Sequence, residues 1–135
     1  MLFRSESYDE IAIWDIASGK LTRTIDKLTG RISQIAISPD GQLFATAGEG
    51  PIVSKNGQTW HTSEVRLWNL KAGELVRTLE HGYFSATSVA FSPDGKSLLY
   101  CDTKGVFVAD VATGSIKLTL MKSTKIGRAS CRERV

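Results

Sequence analysis

The chain has 135 residues, 41% of them hydrophobic and 23% charged, with a formal net charge of +3; this is an ordinary balance for a globular domain with one sizeable core. No stretch approaches the ~18 unbroken apolar residues that a membrane-spanning helix needs. The opening MLFRSESYDE lacks the apolar run of a secretory signal.

Internal repetition organises everything after that. Three segments align without gaps: Ile13 to Ile25 (IWDIASGKLTRTI), Leu67 to Leu79 (LWNLKAGELVRTL) and Val108 to Leu120 (VADVATGSIKLTL). So do Ile32 to Gly41 (ISQIAISPDG) and Ala86 to Gly95 (ATSVAFSPDG). Trp14 and Trp68 are 54 residues apart, whereas Trp68 and the matching Ala109 are 41 apart. A period near 41 marks a repeat architecture, and the longer interval contains 13 inserted residues.

Each unit reads as four short strands. The chain enters inside a unit, because Leu2-Phe3 matches Leu43-Phe44 at the start of a second strand. Ile11 and Ile13 alternate along a third strand, as Val65 and Leu67 and Val106 and Val108 do later, and each set is expected on one face. Turns ending in Gly19, Gly73 and Gly114 lead to fourth strands carrying Arg23, Arg77 and, one place off, Lys117. Basic residues on an outer strand discourage edge-to-edge pairing, and these read as solvated edge charges. First strands carry Ile32, Ile35 and Ile37, and then Ala86, Val89 and Phe91. The SPDG turns follow, in which Pro fixes φ, Asp bonds nearby backbone and Gly tolerates positive φ. Second strands are expected at Leu43 to Ala47 and Leu98 to Cys101. No helical period competes through residue 120.

The insertion lies between the second and third strands of the middle unit, within Glu49 to Ser63. Asn56-Gly57 suits a two-residue type I′ turn and would set Val53 opposite Trp60. Gly48-Glu49-Gly50 is a bare G-x-G without the third glycine and helix of a cofactor cradle, and it reads as the start of a flexible loop.

The motifs VAFSPDG, SYDEIAIWD and EVRLWN resemble the WD-repeat family, and the resemblance covers about residues 2 to 120. The resemblance implies an all-β fold, a partial β-propeller of four-stranded antiparallel blades. A remnant blade spans about 2–25, a blade with the inserted hairpin 50–63 spans about 32–79, and a blade spans about 86–120, together a domain of 1–125. Eleven strands do not close a ring of 4–8 blades, so a piece of a longer protein is expected, as is self-association through exposed blade faces. In many family members a Gly-His, a Ser and a turn Asp bond to the blade Trp. Here His81-Gly82 reverses that dipeptide and Gly30-Arg31 replaces it, so this network is not expected.

By the same resemblance the insertion and the loop before each inner strand share one rim. That rim would gather the candidate partner-binding residues Lys55, Trp60, His61, His81, Tyr83 and Phe84, since surface aromatics anchor protein interfaces. Two placements stay open for Trp60, at an interface or folded onto its own blade. No catalytic motif, cofactor site or zinc spacing is present. The expected function is a non-catalytic, cytoplasmic scaffold that binds other proteins, with neither nucleic acid nor membrane as partner. The alternative is the propeller segment of a larger enzyme, protease- or kinase-linked or a quinoprotein-like dehydrogenase.

Residues 126–135, IGRASCRERV, resemble a translated sequencing adapter and are expected to be non-native, making few contacts with the blades. Without their three arginines and one glutamate the net charge falls from +3 to +1, which removes the electrostatic case for a polyanionic partner. Cys131 leaves with them, so Cys101 is expected to stand alone.

Overall fold

The computed structural model describes residues 2–4, 10–26, 28–83 and 85–122, with side chains for 10–26, 28–79 and 85–120. Eleven strands form three antiparallel sheets, with no helix among the described residues. The first holds β1 (Leu2–Arg4), β2 (Ile11–Asp15) and β3 (Lys20–Ile25). The second holds β4 (Ile32–Ile37), β5 (Leu43–Lys55), β6 (Gln58–Asn69) and β7 (Leu75–Tyr83). The third holds β8 (Ser88–Phe91), β9 (Ser97–Asp102), β10 (Gly105–Asp110) and β11 (Ile116–Lys122). Each sheet keeps its strands in chain order, as expected of propeller blades. The adapter-like residues lie outside the described residues.

The SPDG turns explain why the first two strands of each full sheet fold back. The Ser38 hydroxyl donates to Asp40 Oδ1 at 2.6 Å, and Asp40 Oδ1 accepts the Gln42 amide at 3.0 Å. The second turn repeats both bonds through Ser92, Asp94 and Lys96, at 2.6 and 2.9 Å. The hydrogen bonds that these polar turn residues make locally replace those a strand would have made.

Alternation then decides which face packs where. Ile11, Ile13 and Ile25 of the first sheet cluster with Phe44, Trp68 and Leu70 of the second. From the other face of the second sheet, Ala45, Ala47, Val65, Leu67 and Leu79 meet Val89, Leu98, Tyr100, Phe107 and Ala109 of the third. The middle sheet is thus buried on both faces, which is why Phe44 through Gly48 are all buried. Phe44 stacks on Trp68 at 6.0 Å between centroids, and burial pushes the Tyr100 phenol up to about 12. Leu99, Cys101, Val106 and Val108 form a third, smaller cluster on the face of the third sheet turned away from the second.

Four expectations are corrected here. Part of the polar network survives: the Trp68 indole donates to Thr46 Oγ1 at 3.1 Å, and buried Asp102 accepts the Ser63 hydroxyl at 3.2 Å and the Lys104 amide at 2.7 Å. Threonine serves where a serine was sought. Cys101 is disulfide-bonded rather than alone, to a partner outside the described residues. Gly48 and Gly50 belong to β5 and not to a loop. A Cβ on Gly48 would stand 2.1 Å from the Arg31 carbonyl oxygen, so this glycine permits close approach of β4. Finally, Arg23 and Arg77 are not free edge charges. Arg23 Nη2 donates to the Lys71 carbonyl at 3.1 Å, and Arg77 donates to Thr113 O at 2.8 Å and Ala112 O at 2.7 Å. Each reaches the turn of the next sheet. Lys117 instead pairs with Asp110 of its own sheet at 2.9 Å.

Candidate protein-binding rim

The inserted residues do not hang from the middle sheet as a loop. They prolong β5 and β6 into one continuous two-stranded ribbon. Asn56 and Gly57 sit at its tip with φ of 53° and 75°, the pair of left-handed residues that a type I′ turn requires. Val53 pairs with Trp60, Ile52 with His61, Ser54 with Thr59 and Lys55 with Gln58. One irregularity between Glu49 and Ile52 joins ribbon to blade, where a bulge changes the twist.

The base of the ribbon is tied down by hydrogen bonds. His61 Nδ1 lies 3.2 Å from the Gly50 carbonyl oxygen, within hydrogen-bond reach. The Thr62 hydroxyl donates to Pro51 O at 3.2 Å. Thr29 donates to Glu64, which also holds Arg66 at 3.0 Å, and the Arg66 guanidinium lies over the Trp68 ring at 5.8 Å. The ribbon therefore leaves the blade from a fixed polar collar.

The strand period divides the candidate residues. Trp60, partly buried, shares a face with Val53 and with exposed Lys55. His61 lies on the opposite face, together with Ile52. Ile52 was not singled out from the sequence, yet it is 63% exposed; its pairing with His61 was the signal that could have found it. The backbone of β7 runs through His81 to Tyr83, and Tyr83 pairs with Thr62, so this segment lies beside the ribbon base. A loop was expected there, and the prolonged edge of β6 supplies the partner that makes it strand. The side chains of His81 and Tyr83, and Phe84 altogether, lie outside the described residues.

A polar cleft of about 430 Å³ adjoins the rim, lined by Arg31, Ser33, Gln34, Glu49, Ser85 and Ser88 among others. It lies between the inner strands β4 and β8. Gln34 Oε1 crosses it, accepting the Ser88 hydroxyl at 2.5 Å and the Val89 amide at 3.0 Å. Among the described residues no group of three His, Cys, Asp or Glu side chains could hold a metal ion.

An uncharacterized WD repeat-containing protein of Synechocystis is 27% identical over 84 residues, 62% of this chain and 21% of that protein. Eukaryotic translation initiation factor 3 subunit I of Aspergillus terreus is 30% identical over 99 residues, 73% of this chain and 26% of that protein. The chain thus spans about a quarter or less of the length of these relatives. Among solved structures, that of U3-55K superposes with a TM-score of 0.71 at 19% identity, covering 87% of this chain and 35% of that one. The WD40 repeats of RRP9 give the same score and identity, a likeness of fold. The family model of the WD domain, G-beta repeat, matches residues 19–57 and 73–115, more than half of the sequence, and the chain belongs to the WD-repeat family.

Proposed function

We propose that this chain is part of a non-catalytic platform that holds other proteins, and that the inserted ribbon is the element that meets a partner. WD-repeat domains generally mediate protein–protein interactions, and one relative is itself named as a subunit of a translation factor. The observation that carries the reading is the ribbon's construction. The third sheet joins the equivalent strands through a short turn at Asp102 to Gly105, so a blade does not need the extra residues. Elements that a scaffold does not require are natural seats of binding. A type I′ tip and a bonded base keep this one ordered, which lowers the entropy lost on association.

Trp60 is the proposed anchor, with Lys55 beside it and His61 tuning contact from the other face; His81, Tyr83 and Phe84 would extend the rim at its base. The test uses the full-length protein that contains this segment and a partner isolated with it. Trp60→Ala should weaken that partner by roughly 2 kcal/mol, about 30-fold, with the far-ultraviolet dichroism unchanged. Unaltered affinity in Trp60→Ala and in Lys55→Ala would remove the ribbon from the interface.

A further inference from the structure

The turns that join the last two strands of each sheet are built alike. An Asp or Asn side chain opens each one: Asp15 Oδ2 accepts the Ser18 amide at 3.2 Å, Asn69 Oδ1 the Ala72 amide at 2.9 Å, and Asp110 Oδ1 the Thr113 amide at 2.9 Å. A left-handed glycine closes each one, donating to the carbonyl four residues back. Those bonds are Gly19 to Asp15 and Gly73 to Asn69, both 2.8 Å, and Gly114 to Asp110, 2.7 Å. The result is a single helical turn, and the last carbonyls of such a turn have no donor within it. A cation is the favoured cap at such an end.

Two of the three turns receive that cap from the preceding sheet. Arg23 donates to Lys71 O, and Arg77 donates to Ala112 O and Thr113 O. The glycines leave the space the arginines use: a Cβ at Gly73 would stand 2.2 Å from Arg23 Cδ, and one at Gly114 2.4 Å from Arg77 Cδ. The apolar residue two places after each arginine, Ile25 or Leu79, is buried in the cluster between its sheet and the next. The first turn has the same internal geometry, but among the described residues no arginine occupies its seat. Among the described residues nothing lies within 4 Å of where a Gly19 Cβ would stand. Ile16 is 68% exposed, whereas Leu70, at the matching place in the second turn, is 6% exposed.

We propose that the Asp15–Gly19 turn is a docking site for an arginine carried on an extended strand of the form apolar-x-Arg-x-apolar. The guanidinium donates to the Ala17 and Ser18 carbonyls, and the flanking apolar side chains cover Ile16. The occupant is the outer strand of a further sheet of different sequence, not a second copy of this chain. In a copy both arginines of this kind are already engaged, and its remaining outer strand presents Leu118 where the aligned strands carry Arg23 and Arg77. Lys117, one place away, is held by Asp110. This turn belongs to the first sheet and the ribbon to the second, so its test is independent of the proposed rim.

The experiment is a nitrogen-15 NMR titration of the whole chain with a peptide of residues 74–80, ELVRTLE, and with the same peptide bearing Arg77→Leu. The arginine peptide should give saturable shifts at the Ala17, Ser18 and Gly19 amides, with at least tenfold weaker binding for the leucine peptide. Gly19→Asn, which tolerates the left-handed conformation and fills the seat with its side chain, should abolish the response while keeping its spectrum. Absent shifts at these amides, equal affinity of the two peptides, or an undiminished response in Gly19→Asn would overturn the site. Shifts at the same amides that grow with protein concentration alone would overturn the assignment of the occupant.

Discussion

Leu79 in β7 and Leu120 in β11 occupy the same place in aligned strands, yet Leu79 is 8% exposed and Leu120 is 52% exposed. The strands themselves are alike, so the difference lies in what stands beyond them. Leu79 has a third sheet to pack on, whereas among the described sheets Leu120 has none. The arginine position follows the same division, with Arg77 engaged in the next turn and Leu118 exposed. In a stack of similar sheets, burial of a given residue is set by its neighbour as much as by its own strand, as expected where each repeat contacts only adjacent repeats.

The largest effect should come from that pair of leucines. Leu79→Ala leaves a gap between two sheets and should cost about 2–4 kcal/mol in chemical denaturation. Leu120→Ala removes surface that is already half wet and should stay within about 0.5 kcal/mol. Equal losses would show that the two strands are packed alike and would dissolve the contrast.

Arg77 comes next. Its charged hydrogen bonds to Ala112 and Thr113 predict a loss of about 1–2 kcal/mol for Arg77→Ala, with Arg77→Lys recovering only part, because a single ammonium cannot span both carbonyls as a guanidinium does. Arg23→Ala, with one bond in place of two, should cost less. A smaller loss at Arg77 than at Arg23 would contradict the reading of these residues as clasps between sheets.

Acid sharpens the comparison of the turns. The Lys117 ammonium, first, and the Thr113 amide hold Asp110 down to about 2, from an ordinary value of 3.8. Asp15, in the matching turn of the first sheet, is also lowered, chiefly by the Ser18 hydroxyl. A carboxyl whose folded pKa is depressed contributes stability that is complete above its unfolded value and is lost as pH falls through the folded one. Stability should therefore decline between about pH 4 and pH 2, less steeply at high salt because these groups face water. In Lys117→Ala the Asp110 carboxyl should titrate closer to 3.8 by carbon-13 NMR while Asp15 is unmoved. An unshifted Asp110 would rule out Lys117 as the main cause.

What could be read in the residues was mostly local. Ile11 and Ile13, Val65 and Leu67, and Val106 and Val108 alternate along their strands, and the common face of each pair follows from period 2 alone. Asn56-Gly57 announced its turn because few other pairs accept two left-handed residues in succession. The arginine clasps were not legible, since the carbonyls that Arg77 binds belong to a turn 35 residues further along, and nothing in the strand marks them. The extension of β7 to Tyr83 depended on the ribbon lengthening β6, a tertiary effect. The division of Trp60 and His61 between two faces was available from their adjacency. Even so, the expected rim grouped them by loop rather than by side.

The most direct test replaces residues 50–62 of the full-length protein with a short turn like that of Asp102 to Gly105 and measures partner affinity and unfolding on the same sample. The ribbon account predicts unfolding within about 1 kcal/mol of the parent and a loss of partner binding. Retained affinity, or a blade that no longer folds without its ribbon, would contradict it.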